Sequence, residues 1–405
     1  MEKKSLVRWP RLVLGIITLL FAGIIYAWSI LKAPLAEEFG WSATNLAFNF
    51  TLTMCFFCLG GLLSGLMANK TSPKLRMIVG GVCIFVGFFV TSKLSGASVV
   101  PLYLAYGVLS GAGIGIVYNT VIAITGQWFP DKKGVSSGSM MMAFGFSTLI
   151  LGNLADKLFE VPAIGWRTTY LILGIAIGAV LIVAGLLIKA PGKDVVFPKP
   201  KAQQNAGAGA VETKDFSSVQ MIKKLSFWKL FLFFILLSSV GNTPISFAKD
   251  VTVAAGGGTS FAVTVVGILS VCNGLGRLCS GAIFDKLGMR RTQYITSAVA
   301  LVAPLVMLGA LALGSLPLTI VGLCLCGFTY GFAPTVTAAV TGAFYGPKNF
   351  ALNFSIMNLI LIPASFTATL ASSLVASAGS YIPAFILLGA FSVVGLFLNL
   401  SIKKP

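Results

Sequence analysis

Histidine is absent from all 405 residues, and acids are few: 11 Asp and Glu against 29 Lys and Arg. Without imidazole there is no histidine general acid–base pair, no histidine-activated nucleophile and no histidine set for zinc. Charge is scarce altogether, at 10% of residues where a soluble domain carries about 25%. Hydrophobic residues make up 57% and mean hydropathy is +0.94, more apolar surface than a water-soluble chain can hide. The seven cysteines (Cys55, Cys58, Cys83, Cys272, Cys279, Cys324 and Cys326) all fall in apolar runs. CxxC at 55–58 and CxC at 324–326 have no supporting ligands there, so these thiols read as small buried apolar groups. No metal site, no cofactor and no enzyme chemistry is expected.

What the chain has in quantity is long apolar runs. Twelve are long enough to cross a hydrocarbon core as helices: 11–32, 45–68, 76–95, 99–125, 135–155, 168–190, 227–248, 260–284, 292–312, 317–341, 350–373 and 381–402. The first is too long for a signal sequence and is followed by no small-residue cleavage site, so it is expected to remain. The class is an all-α membrane protein. The net charge of +18 is unevenly spread. With the N-terminus inside, twenty-three of the 29 basic residues fall in cytoplasmic segments, among them Lys3, Lys4, Lys193, Lys199, Lys201, Lys214 and Lys404. That bias places both termini in the cytoplasm of a cell-membrane protein, and it leaves nucleic acid without support as a partner.

Residues 191–226 are polar and rich in Pro, Ala and Gly, a linker between six-helix bundles at 1–190 and 227–405. A shift of 216 residues superimposes the halves: Gly65, Asn69, Lys70 and Lys74 fall on Gly281, Asp285, Lys286 and Arg290, and Gly111 and Gly115 on Gly327 and Gly331. The spaced glycines of "GAGIGIVYN" (111–119) follow no strand, so they read as close helix packing and not as a phosphate loop. Same-sense halves around a midplane site describe the major facilitator architecture. The loop "GAIFDKLGMRR" (281–291) resembles that superfamily's signature, which implies gating roles for Asp285 and Arg290. The N-half copy, "GLMANKTSPKLR" (65–76), is degraded at Asn69 and keeps Lys74.

One charge breaks the pattern. Between Phe261 and Phe284 the only charged residue is Arg277, eight residues before Asp285 and so about 12 Å from the helix end. Snorkelling to the cytoplasmic interface is disfavoured, because helical side chains tilt toward the N-terminus, here the far side. Pairing with a buried acid is disfavoured too, since all eleven acids fall in loops or at helix ends. A flat, two-pronged cation in mid-membrane suits a carboxylate that comes and goes. Tyr26, Tyr118, Asn119, Asn273 and Tyr330 also lie within apolar spans. Each tyrosine alone is as well explained by core packing as by a cavity wall.

"GIIYAWSILKAPL" (23–35), "GIGIVYNTVIAITGQWFPDKKGVSSG" (113–138), "NGLGRLCSGAIFDKLG" (273–288) and "YGPKNFALNF" (345–354) resemble the oxalate/formate-antiporter family and, more distantly, the proton-coupled monocarboxylate transporters. The resemblance implies a major facilitator fold of twelve transmembrane helices, a carboxylate held by Arg277, and Tyr118 and Tyr330 in the pocket wall. A second cation of the oxalate exchanger falls on Met357, and its tryptophan falls on Cys326. One buried charge matches one carboxylate, because a dianion would leave charge uncompensated in low dielectric. Met357, Met141, Met142 and Phe146 then offer apolar surface to a short tail. A small monocarboxylate such as lactate, pyruvate or acetate is expected, carried by a monomer. Proton symport is what the resemblance implies, and anion exchange of the oxalate:formate type is the alternative.

Overall fold

The computed structural model describes residues 8–192, 195 and 215–403, and every regular element among them is helical. Eleven helices are long and apolar enough to cross a membrane. The first six are α1 (Arg8–Phe39), α2 (Ala43–Leu66), α3 (Pro73–Ser92), α4 (Val100–Gly126), α5 (Lys133–Phe159) and α6 (Gly165–Leu187). They are followed by α7 (Leu225–Ala254) and a 55-residue helix, Thr259–Leu313. At 1.5 Å per residue that helix would run to about 80 Å, more than twice a hydrocarbon core. It breaks only at Gly288 (φ 77, ψ 175), a conformation that glycine alone adopts without strain. Its arms, 259–287 and 289–313, are α8 and α9. The remaining crossings are α10 (Leu316–Tyr345), α11 (Phe350–Ala378) and α12 (Ile382–Ser401). The chain is thus a multi-pass, all-helical membrane protein of twelve crossings. Two expectations change: the loop at 281–291 is helical apart from Gly288, and α1 continues to Phe39.

Helices α1–α6 pack chiefly among themselves, α2 on α4 and α3 on α6, and α7–α12 likewise, α8 on α10 and α7 on α10 and α12. The halves meet along two seams, α5 against α8 and α2 against α11. Lipid tails supply no hydrophobic force between helices, so close backbone approach must hold these seams. A Cβ on Gly281 would strike the carbonyl of Gly134, and one on Gly134 the carbonyl of Gly281. One on Gly138 would lie 2.8 Å from the Arg277 carbonyl oxygen.

The α5–α8 seam ends in a carboxylate-to-backbone contact between the halves. Asp285 accepts the backbone N–H of Gly134 (3.1 Å) on one carboxylate oxygen and that of Val135 (2.9 Å) on the other. It satisfies orphan donors at the start of α5 from the opposite half, where the helix dipole favours a negative charge. Arg290 donates to the carbonyls of Asn399, Leu400 and Ile402 at 2.9–3.1 Å, closing the end of α12. In the N-half the equivalents do not follow. Asn69 and Lys74 are exposed, and no side-chain bond ties them down among the described residues. Arg76 takes the inward role instead: it is 4% exposed and donates to the carbonyl (3.1 Å) and hydroxyl (3.2 Å) of Ser64 on α2. The turn before Pro73 aims position 76, and not 74, under α2.

Of the linker expected over 191–226, residues 193–194 and 196–214 lie outside the described residues, as do Lys3, Lys4 and Lys404. The last part of the linker docks on the C-half. Phe216 N–H donates to Tyr345 O (3.0 Å), Asn349 and Asn353 donate to Phe216 O (3.1 Å each), and Asp215 accepts Lys348 N–H (3.0 Å). A short helix, Ser218–Ile222, starts there with a Ser217–Gln220 capping box.

Candidate anion-binding site

Arg277 lies midway along α8 and is 1% exposed. Its side chain runs back toward the helix N-terminus and meets Asn273 one turn earlier, Nε donating to Oδ1 at 3.1 Å. One terminal nitrogen donates to the backbone carbonyl of Met141 on α5 (2.9 Å) and the other to the Tyr26 hydroxyl on α1 (3.4 Å). Three of the five N–H donors of the guanidinium are therefore used. The ion pairs among the described residues are Arg8–Asp131 and Arg167–Glu38, and neither involves Arg277. A full positive charge sits in mid-membrane on neutral oxygens alone.

Aromatic rings complete the enclosure. The guanidinium carbon lies 5.5 Å from the Tyr26 ring centroid, 5.8 Å from Phe144 and 5.8 Å from Tyr330, within cation–π range of each. The hydroxyls of Tyr26 and Tyr330 share a hydrogen bond of 2.8 Å across the two halves. Tyr330 is thus tied to the cation through Tyr26. Tyr118 stands one ring further out, edge-on to Phe144 at 5.1 Å and to Phe57 at 5.1 Å, and stacked on Phe354 of α11 at 6.4 Å.

Local sequence explains the reach of the arginine. "MMMAFGF" (140–146) on α5 puts Gly145 against Gly274 of α8, where a Cβ would come within 3.4 Å of Gly274 Cα and 3.7 Å of Arg277 Nε. The same stretch presents the Met141 carbonyl and the Phe144 ring to the guanidinium. Phe144 and that carbonyl carry no polar signal in the sequence. An aromatic one residue before a seam glycine is the one hint.

Of the sequence-derived candidates, the structure brings Arg277, Asn273, Tyr26 and Tyr330 together and keeps Tyr118 adjacent. Asn119 is elsewhere: its Nδ2 donates to Ala351 O across the α2–α11 seam side (3.3 Å), and its buried Oδ1 has no partner. Helix geometry rotates it by about 100° from Tyr118. Met357 is fully buried on α11, one turn after Phe354, and makes no polar contact with the guanidinium. Met141 contributes its carbonyl, while its sulfur accepts Thr335 Oγ1 at 3.5 Å. Among the described residues no three Cys, Asp or Glu side chains gather to hold a metal.

A buried fork with two N–H groups to spare, walled by rings, offers the donors that a carboxylate takes. The chain belongs to the Major Facilitator Superfamily, whose family model matches residues 12–361. It is 28% identical to "Uncharacterized MFS-type transporter YhjX" of Escherichia coli over 87% of this chain and 84% of that one. It is 27% identical to "Oxalate:formate antiporter" of Oxalobacter formigenes over 85% and 80%. It is 27% identical to human "Monocarboxylate transporter 12" over 84% and 69%. In fold it is similar to the proton:xylose symporter XylE, with a TM-score of 0.74 at 15% identity over 98% of this chain and 96% of that one.

Proposed function

We propose that this protein carries small monocarboxylates of the lactate, pyruvate and acetate type by alternating access, its two halves rocking about the site at Arg277. One observation carries the reading: a guanidinium 1% exposed, with no acid beside it among the described residues and two N–H groups unspent. An intramembrane cation is costly on any scale. A guest carboxylate offers it the charge and the two parallel bonds that Met141 and Tyr26 do not. A single cation matches a single negative charge, which favours monoanions over dianions. The latch at Asp285 closes the end bearing most basic residues, the cytoplasmic one on the charge bias, and Tyr26–Tyr330 ties the halves at site level.

Exchange of two anions, oxalate:formate fashion, is favoured by a different observation. No histidine exists, and no acid pairs with Arg277 among the described residues, so no proton acceptor stands beside the bound anion. Uptake of labelled L-lactate into proteoliposomes separates the two. Accumulation driven by an inward proton gradient supports symport, uptake only with internal lactate supports exchange, and no flux in either arm defeats the lactate reading.

A further inference from the structure

Two buried polar side chains on α7 lie beside the contact that α7 makes with Tyr330. On α7, Ser238 and Asn242 are 0% and 2% exposed, yet Ser238 Oγ and Asn242 Nδ2 have no hydrogen-bond partner. Polar groups this deep are retained where something satisfies them.

Three contacts fix where they point. Gly241 faces α10, since a Cβ there would strike the backbone of Tyr330. Ser239 faces α11, bonding Thr367 Oγ1 at 3.0 Å. Phe233 and Leu236 face α12, each 3.9 Å from a Cβ on Gly395. At about 100° per residue, Ser238 and Asn242 share the remaining face, between α10 and α11 and away from α12. The internal repeat says the same independently. Adding 216 to Tyr26 gives Asn242, and Tyr26 reaches across into the C-half to Arg277 and Tyr330. Its repeat mate Asn242 stands at the same depth on α7, beside the Gly241–Tyr330 contact. Both helices are irregular here, α1 tightening to a 3₁₀ turn over Gly23–Ala27 and α7 bending between Pro244 and Phe247 (φ −129).

We infer that Ser238 and Asn242 hold the second polar group of the substrate, selecting 2-hydroxy and 2-oxo acids over plain alkanoates. The inference rests on the carboxylate reading of Arg277. With the carboxylate in the fork, a C2 oxygen meets the Asn242 amide and the Ser238 hydroxyl, groups that an unsubstituted acid leaves unpaired.

L-Lactate and propionate share a three-carbon skeleton and differ at the C2 hydroxyl, so they form the test. In proteoliposomes, Asn242→Leu is expected to raise the KM for lactate roughly tenfold and leave that for propionate within twofold. Ser238→Ala should act in the same direction more weakly, and it carries the test if the leucine variant is not recovered from membranes. Equal losses for both acids, or no change in either, overturn the assignment while the carboxylate reading stands. A wild-type protein that moves neither acid overturns the small-monocarboxylate reading, and this one with it.

Discussion

The two halves share a fold and a repeat but not their chemistry. The C-half carries the charges: Arg277 at the site, Asp285 in the latch and Arg290 on the end of α12. The same positions in the N-half, 216 residues earlier, hold Gly61, Asn69 and Lys74. What the N-half contributes is neutral: rings from Tyr26 and Phe144, a carbonyl from Met141 and two amides at the start of α5. One half brings the ions and the other receives them. Arg277 at the Met141 carbonyl and Tyr26 hydroxyl, and Asp285 at the Gly134 and Val135 amides, each hold a partner on the other half, so these contacts depend on the relative position of the halves.

The largest break in that division should come from the seam itself. Gly281→Val puts branched carbon against the Gly134 carbonyl, so α5 and α8 cannot close. Transport is expected to fall about a hundredfold or more with the protein still folded, since overpacking at backbone contact costs at least 1–3 kcal/mol. Spin labels at the exposed positions 69 and 348, on opposite halves, should move apart, and an unchanged separation would rule out a closing role for this seam.

Next in size is Asp285→Asn. The amide keeps one acceptor but loses the charge that two N–H donors and the α5 dipole favour. Charge-assisted bonds contribute about 1.5–3 kcal/mol, so the open state should gain roughly ten- to a hundredfold in population. The same spin-label pair reads it out, and an unaltered distance distribution would remove Asp285 from the latch. Within the N-half, Arg76→Leu should cost about 1–3 kcal/mol of stability by taking the guanidinium from the buried Ser64 carbonyl, the Ser64 hydroxyl keeping Thr120, whereas Lys74→Ala stays within about 0.5 kcal/mol. Thermal unfolding in detergent compares them, and equal effects would restore Lys74 as the counterpart of Arg290. Smallest is Tyr26→Phe, which deletes the hydroxyl linking Arg277 to Tyr330. A neutral bond contributes about 0.5–1.5 kcal/mol, so the lactate KM should rise severalfold with kcat nearly kept.

Much of this is legible in the residues. Twelve crossings follow from apolar runs, and Arg277 stands out because nothing else charged lies within twenty residues before it. Asn273 follows from helix spacing, and Tyr26 and Tyr330 from being polar in greasy spans. Legibility fails where chemistry is done by backbone or by rings. The Met141 carbonyl has no signature, and Phe144 looks like core until the cation is placed beside it. Asn119 misleads because polarity alone does not say which face of α4 it takes, and the α11 backbone claims it. Lys74 misleads because the repeat fixes register but not burial, and Arg76 lies two positions further in. Ser238 and Asn242 look in the sequence like ordinary small polar residues, and their missing partners mark them.

Binding of labelled lactate to purified wild-type protein and to Arg277→Lys tests the central claim most directly. Lysine keeps the charge and loses the planar fork. If the fork clamps a carboxylate, wild-type protein binds saturably and the lysine variant binds at least about tenfold more weakly, by the roughly 1.5–3 kcal/mol of a charged hydrogen bond. Equal affinity in the two proteins would show that charge alone suffices and that the bidentate clamp is wrong.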